Sequence, residues 1–174
     1  MPIPEAAGLF IGIDHISLTV VDLDPAVDFY CGVLGAELLY RMGPFDAREL
    51  PRTESGQDWS AARVGVPGAR ISIAMLHIAS ALKMELLQYD LPSDAAKTPP
   101  RNCDAGSRHL CLEVADLERA VRYLEARGCK PAAAPIIVPA GDWPASRNWY
   151  VQDPFGHQLE LVQFQDQKSG GQSR

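Results

Sequence analysis

Residues 14–30 read DHISLTVVDLDPAVDFY, and residues 108–123 read RHLCLEVADLERAVRY. The two stretches align without a gap, so that His15 corresponds to His109. The aspartate, leucine and alanine-valine pair that follow the first strand-like segment also match at the same spacing. An internal repeat of this kind indicates two copies of one structural unit.

A second similarity closes each copy. Residues 84–89 read MELLQY, and residues 159–164 read LELVQF. Each half of the chain therefore begins with a histidine and ends with a glutamate, which is Glu85 in the first half and Glu160 in the second. A chain of 174 residues is long enough to bury a core, and two related half-size modules fit within one domain of that length.

The hydrophobic pattern predicts the same kinds of element in both halves. Apolar and polar residues alternate after each histidine, as they do in a strand with one buried face. A helix follows, for which we predict Asp24 and Asp116 as N-caps and Gly35 and Gly128 as stops. The first half continues with three further strands, so the predicted fold class is α+β.

The boundaries follow from composition. Module one is predicted at about residues 10–90, a proline-containing linker at about 91–106, module two at about 107–165 and a disordered polar tail at 166–174. Residues 43–59 lack periodicity and are predicted to form an irregular loop. Residues 131–144 are predicted to be the equivalent connection in the second half.

Charge and composition exclude several classes of function. The net charge is −6 and the 16 Lys and Arg residues are scattered, which argues against a nucleic-acid surface. No apolar run is long enough to cross a bilayer, and the N-terminal stretch lacks the charged start of a secretory signal. The 4 cysteines show no Cys-x-x-Cys spacing, so we expect reduced thiols and a cytoplasmic protein.

Four residues form a candidate metal site. Both histidines lie on the polar faces of their predicted strands, and both glutamates lie on the last strand of their half. If the modules lie side by side, these side chains can converge on one curved surface. Two imidazoles and two carboxylates suit Zn²⁺, Ni²⁺, Co²⁺, Mn²⁺ or Fe²⁺. A single histidine or glutamate on a strand is more often structural or solvated, but its recurrence in both halves favours a metal site.

The doubled module, the two similar endings and the stretch DPFGHQLE at residues 153–160 resemble the vicinal oxygen chelate superfamily. That superfamily includes glyoxalase I, methylmalonyl-CoA epimerase, extradiol dioxygenases, and fosfomycin and bleomycin resistance proteins. The resemblance covers about residues 10–165 as a single domain. It implies two tandem βαβββ modules forming one curved sheet around a central cleft, a homodimer, and a divalent metal ion held by His15, Glu85, His109 and Glu160.

The resemblance also implies a reaction. A bound divalent ion with open positions can hold two neighbouring substrate oxygens and stabilise an enolate as a C–H proton leaves. In glyoxalase-like relatives a ligand glutamate shuttles the proton, so Glu160 and Glu85 are the candidate general base and acid. We therefore predict a metal-dependent lyase or isomerase, including an epimerase, that acts on a small α-oxygenated carbonyl compound.

Two other classes of protein remain open. An extradiol-type ring-cleaving dioxygenase uses two histidines and one glutamate on iron, whereas this sequence has Glu85 where such enzymes have the second histidine. A metal-free drug-binding resistance protein shares the fold, but its ligand positions are usually degraded, and here all four are intact. Oxygen consumption with catechols separates the dioxygenase from the isomerase.

Aromatic and basic residues near the irregular connections are candidates for substrate binding. They could supply a stacking wall and an anchor for a carboxylate or phosphate. The predicted substrate-binding residues are Arg147, Trp143, Trp59 and Arg48. Arg147, which lies between Trp143 and Trp149, is predicted to face the pocket; loop packing and solvated arginines are the alternative interpretation.

Overall fold

The computed structural model describes residue 9, residues 11–79 and residues 82–165. The chain divides into two compact units, of which the first ends at Ala95 and the second begins at Ala96. That division lies within the segment predicted to be the linker. The predicted disordered tail, residues 166–174, lies outside the described residues.

The first unit contains a four-stranded sheet, a helix of three turns and a short helix. Its elements are β1 (His15–Val20), α1 (Leu23–Gly32), β2 (Glu37–Asp46), α2 (Trp59–Val64), β3 (Arg70–Ile78) and β4 (Leu82–Leu91). The strand order is β1-β4-β3-β2, with β1 parallel to β4 and the other pairs antiparallel. The stretch 43–59 is less irregular than predicted, because β2 extends into it and α2 begins at its last residue.

The second unit contains a five-stranded sheet and one helix. Its elements are β5 (His109–Glu113), α3 (Leu117–Glu125), β6 (Lys130–Pro131), β7 (Ile136–Val138), β8 (Ser146–Gln152) and β9 (Gln158–Phe164). Strands β5 and β9 are parallel, and β8 pairs antiparallel with β9, β6 and β7. The predicted connection 131–144 therefore includes strand pieces, which at 2 and 3 residues are too short to show an alternating pattern.

The predicted α+β class with tandem βαβββ modules is confirmed. In each unit the first strand lies parallel to the last strand, which in turn pairs antiparallel with the strand before it. The short β6 and β7 take the place of β2, because both pair antiparallel with β8 as β2 pairs with β3. The hydrogen-bonded strands form two sheets, one in each unit.

The predicted helix N-cap is correct in the second half and wrong in the first. In the second half Asp116 caps α3 as predicted, and its Oδ1 accepts a hydrogen bond from the Arg119 amide at 2.9 Å. In the first half the prediction of Asp24 was wrong by two residues. The N-cap is Asp22, which has an extended backbone and accepts from the Asp24 amide at 3.3 Å. Both aspartates suit a cap by residue type, and only the backbone conformation separates them.

The repeated glutamine near the end of each half has a structural function. The Gln88 Oε1 accepts a hydrogen bond from the Leu23 amide at 2.7 Å, and the Gln163 Oε1 accepts one from the Leu117 amide at 3.2 Å. Each amide belongs to the first residue of its helix, where no carbonyl within the helix is available. The last strand of each unit therefore satisfies and positions the start of the helix that covers the sheet.

Each helix packs its buried residues against one face of its sheet, and in the first unit a further buried cluster that includes Ile73 lies on the opposite face. In α1 the buried residues include Ala26, Val27 and Tyr30, and in α3 they are Leu117, Val121 and Leu124. Because side chains alternate along a strand, the opposite face of each sheet carries the odd-numbered residues of β1, β4 and β5 and the even-numbered residues of β8 and β9. Among the described residues no helix is long and apolar enough to span a membrane.

Candidate metal and catalytic site

The first unit brings His15 and Glu85 together. They lie on the neighbouring parallel strands β1 and β4, where His15 is paired with Lys83 and Glu85 stands two residues further along β4. The Nε2 of His15 is 3.7 Å from Oε2 of Glu85. The Glu85 side chain is 16% exposed and that of His15 is 37% exposed, so the pair is accessible from one side.

Asp14 orients the first histidine. Its Oδ1 lies 2.7 Å from Nδ1 of His15, and its Oδ2 accepts a hydrogen bond from the Lys83 ammonium at 2.5 Å. The hydrogen bond from His15, followed by that from Lys83, holds the pKa of the Asp14 carboxyl below its usual range. The carboxylate can only accept, so Nδ1 of His15 is the donor in this contact and Nε2 is left facing Glu85.

The second unit brings His109 and Glu160 together at the corresponding positions. They lie on the parallel strands β5 and β9, where His109 is paired with Gln158, two residues before Glu160. The Nε2 of His109 is 3.1 Å from Oε2 of Glu160, and the glutamate side chain is 15% exposed. Each unit thus presents one imidazole nitrogen and one carboxylate oxygen from its first and last strands.

Residues of β8 that the sequence prediction missed surround Glu160. The Asn148 amide donates to Oε1 at 2.7 Å, and the Tyr150 hydroxyl donates to Oε2 at 3.3 Å. The Tyr150 ring also packs edge-on against the His109 ring, with centroids 5.5 Å apart. The spacing of Asn148 and Tyr150 was the signal that could have identified them. They are two residues apart in a strand, and alternate residues of a strand share a face.

The polar groups around Glu160 are protonated donors. Burial, followed by the charge of Glu160, raises the pKa of the Cys111 thiol to about 11. Burial and the same carboxylate raise the pKa of the Tyr150 phenol. At neutral pH both groups therefore keep their protons and can act as hydrogen-bond donors.

The predicted four ligands thus come together in two pairs. Within the described ranges no group of three or more His, Cys, Asp or Glu side chains is arranged so that it could hold a metal ion, so the four-residue site stays a prediction. The donor set of each pair nevertheless suits a divalent metal, because imidazole nitrogen and carboxylate oxygen are ligands for Zn²⁺, Ni²⁺, Co²⁺, Mn²⁺ and Fe²⁺. The carboxylate behind His15 is the outer support that metal-binding histidines commonly have.

Comparison with known proteins decides the family. Residues 12–161 match the profile of the family described as the glyoxalase/bleomycin resistance protein/dioxygenase superfamily. The chain belongs to this superfamily. A 2-epi-5-epi-valiolone epimerase from Actinomyces sp. is 34% identical over 154 residues, which cover 87% of this chain and 79% of that protein.

Crystal structures of other members of the superfamily share the fold. A glyoxalase family protein from Bacillus cereus is 19% identical, with a TM-score of 0.69 and coverage of 90% of this chain and 96% of that one. The fosfomycin resistance protein FosX from Listeria monocytogenes, complexed with Mn(II) and sulfate, is 16% identical, with a TM-score of 0.55 and coverage of 90% and 92%. At these identities the similarity establishes the fold alone.

Arg147 and Trp143, both predicted to bind substrate, lie in surroundings that differ from each other. Arg147 is paired across β9 with Gln163 and forms hydrogen bonds with Glu118 of α3, so it lies on the helix-covered face of the sheet. Glu160 is three residues before Gln163 on β9, so its side chain points to the opposite face, and the structure does not bring Arg147 to it. Trp143 is 58% exposed, lines a cleft of about 350 Å³ and lies 6.5 Å, centroid to centroid, from Phe164.

Trp59 and Arg48 are held within the first unit. The Trp59 ring lies 5.6 Å from that of Phe45 and packs against the buried cluster that includes Ile73. Ile73 is paired with Leu87, so this cluster lies on the same face of the sheet as Glu85. Arg48 donates two hydrogen bonds to Asp46, which hold the pKa of that carboxyl well below its usual range. Substrate binding by Arg147, Trp143, Trp59 and Arg48 stays a prediction.

Proposed function

We propose that the chain is a metal-dependent epimerase, which inverts a stereocentre beside a carbonyl group in a small oxygenated molecule. The observation that carries the proposal is the occurrence of one histidine–glutamate pair at corresponding positions in each unit. The similarity to the Actinomyces protein supports the reaction class, since that protein is an epimerase named for a compound whose suffix, -one, denotes a ketone.

The requirements of epimerisation explain why two glutamates are needed. A carbon beside a carbonyl loses its proton on one face and must receive a proton on the opposite face for its configuration to invert. One carboxylate therefore accepts the proton while a second group returns one. Glu85 and Glu160 are proposed for these two roles, because they occupy equivalent strand positions on the two modules of a duplicated scaffold.

His15, Glu85, His109 and Glu160 are the residues proposed to hold the metal. A divalent ion bound by them would supply a positive charge for the carbonyl oxygen of the substrate and so ease removal of the neighbouring proton. The chain's own contribution is to orient the donors: Asp14 fixes the ring of His15, and the residues of β8 fix Glu160. Both glutamate side chains are mostly buried, which limits the access of water to them.

The test is solvent deuterium exchange. Purified protein loaded with Mn²⁺ is incubated with 2-epi-5-epi-valiolone in D₂O, and the product is followed by proton NMR. We expect a new epimer that carries deuterium at the inverted carbon. Glu85→Gln and Glu160→Gln should each lower the rate at which this deuterated epimer forms by at least about 100-fold, which is the usual contribution of a general acid or base to the rate.

Matched controls separate loss of the carboxylates from general damage. Glu125→Gln changes an exposed glutamate of α3 and should leave turnover as in the wild type. Chelation of the metal should abolish exchange, and added Mn²⁺ should restore it. Exchange that persists in Glu85→Gln or Glu160→Gln would contradict the proton-transfer roles, while oxygen uptake with catechols would favour the dioxygenase alternative.

The expected homodimer remains a prediction, as does the small-molecule nature of the substrate. Sedimentation equilibrium over a range of protein concentrations measures the oligomeric state directly. A mass that stays at 19.0 kDa at every concentration would contradict the dimer.

A further inference from the structure

We infer that Asn148 and Tyr150 are positioning residues that hold the Glu160 carboxylate in one orientation, and that this makes the two glutamates functionally unequal. Glu160 is then the carboxylate fixed in direction, which exchanges a proton on one face of the substrate carbon, and Glu85 is the one free to turn as it exchanges a proton on the other face. This inference rests on the proposed function and deepens it by assigning different roles to the two halves of the duplicated site.

The contacts of Glu160 restrain both of its oxygens. Asn148 donates to Oε1 at 2.7 Å, while Oε2 receives the Tyr150 hydroxyl at 3.3 Å and faces Nε2 of His109 at 3.1 Å. Rotation of the carboxylate would break the first two contacts together. The oxygen beside the imidazole is therefore presented in a defined direction, as a ligand must be.

The orientation of the Asn148 amide supports this assignment. Its Oδ1 is buried and finds no hydrogen-bond partner among the described residues, whereas its Nδ2 donates to Glu160. Exchanging the amide oxygen and nitrogen would place Oδ1 against the carboxylate, which is repulsive. Leaving a buried acceptor unpaired is unfavourable, and the charge-assisted hydrogen bond to Glu160 offsets that cost.

Glu85 has different surroundings at the corresponding positions. Its partner across β3 is Met75, and the next residue on the same face is Ile73. Both are buried, at 3% and 4% exposure, and neither has a hydrogen-bond donor in its side chain. In the described part of the chain no side chain donates a hydrogen bond to Glu85, and His15 approaches it only to 3.7 Å.

The strand register shows that Glu85 and Glu160 occupy equivalent positions, so their surroundings can be compared directly. Glu160 is paired with Tyr150 across β8 as Glu85 is paired with Met75 across β3. Asn148 stands two residues before Tyr150, as Ile73 stands two before Met75. The duplicated scaffold therefore keeps the glutamate in both halves while the strand beside it supplies donors in only one of them.

The chemical consequence follows from what each role requires. Each carboxylate exchanges a proton on one face of the substrate carbon, and the hydrogen bonds from Asn148 and Tyr150 oppose rotation of the Glu160 carboxylate while it does so. The Glu85 carboxylate, which receives no side-chain hydrogen bond in the described part of the chain, has no such restraint. Removing the restraint on Glu160 should therefore weaken metal binding, and should leave Glu85 able to act.

The experiment measures metal binding and turnover in Asn148→Ala and Tyr150→Phe, with Tyr123→Phe as the control. Tyr123 is 40% exposed on α3, away from the glutamate face of the sheet. Calorimetric titration with Mn²⁺ gives the dissociation constant, and the visible spectrum of the Co²⁺-loaded protein reports the ligand field. Circular dichroism and the melting temperature show whether each variant is folded.

We expect Asn148→Ala to weaken Mn²⁺ binding about 10- to 100-fold, the usual effect of removing an outer-shell partner. Tyr150→Phe should have a smaller effect in the same direction, because its contact is longer. Both should change the Co²⁺ spectrum while the melting temperature of Tyr150→Phe stays close to that of the wild type. At saturating metal, kcat should fall less than metal affinity does.

Two negative outcomes are distinguishable. A wild-type protein that binds no Mn²⁺ and exchanges no proton would overturn the proposed function and this inference with it. A wild-type protein that binds Mn²⁺ and epimerises, with Asn148→Ala and Tyr150→Phe matching it in dissociation constant and spectrum, would overturn the inference alone.

Discussion

Asp14 lies 2.7 Å from His15, its immediate neighbour, and turns the free ring nitrogen of that histidine toward Glu85. Adjacent residues of a strand normally point to opposite faces, so this contact depends on Asp14 lying just before the first residue of β1. Its other oxygen accepts a hydrogen bond from Lys83, the residue paired with His15 across the sheet.

Asp14→Ala should lower the affinity for Mn²⁺ by about 10- to 100-fold, because the ring of His15 loses the carboxylate that sets its orientation and tautomer. Titration calorimetry measures the change. Asp28→Ala removes an exposed aspartate of α1 and should bind Mn²⁺ as the wild type does. Equal affinities in all three proteins would contradict an orienting role for Asp14.

Gln88→Ala and Gln163→Ala should each lower the free energy of unfolding by about 1 kcal/mol, since each leaves the first amide of a helix without its acceptor. Urea denaturation followed by circular dichroism gives the difference. Gln165→Ala alters an exposed glutamine just after β9 and provides the control. If the control variant were as unstable as the other two, the loss could not be assigned to the helix starts.

Asp58→Ala should lower the melting temperature by a few degrees at neutral pH. Asp58 caps α2, and its hydrogen bonds from the Ala61 amide and then the Ser60 hydroxyl hold its pKa below the usual range. A carboxyl whose pKa is lower in the folded state stabilises the fold above its unfolded pKa, and that stabilisation is lost as pH falls through the folded pKa.

The difference in melting temperature between wild type and Asp58→Ala should therefore narrow below about pH 4, where the unfolded carboxyl becomes protonated. Differential scanning calorimetry across a pH series measures it. Asp94→Ala, at an exposed position before the unit boundary, should show little difference at any pH. A difference in melting temperature that widened toward low pH would contradict the stabilising role of the Asp58 carboxylate.

Arg147→Ala distinguishes a structural from a substrate-binding arginine. Because Arg147 pairs with Glu118 on the helix-covered face, we expect a modest loss of stability and an unchanged KM. Steady-state kinetics and thermal unfolding are measured on the same preparations, with Glu118→Gln as the matched partner variant. A large rise in KM with unchanged stability would instead support the sequence-based prediction that this side chain faces the pocket.

Much of the fold was predictable because the sequence repeats. The strand after each histidine alternates clearly, and the glutamate of each half lies on its last strand, as predicted. The sequence did not predict the short strands β6 and β7 or the helix α2. Elements of 2, 3 and 6 residues are too short to show a periodic pattern of apolar residues. The N-cap at Asp22 was missed because a neighbouring aspartate fits a cap equally well by composition.

The sequence by itself determined the duplicated module, the class of the fold and the pairing of a histidine with a glutamate in each half, because alternation and repetition are local properties of a chain. Only the tertiary structure decided which residues surround each glutamate. Asn148 and Tyr150 reach Glu160, Met75 and Ile73 flank Glu85, and Arg147 falls on the helix side. The reason is that cross-strand register assigns neighbours far apart in sequence, and a shift of one residue would exchange the faces.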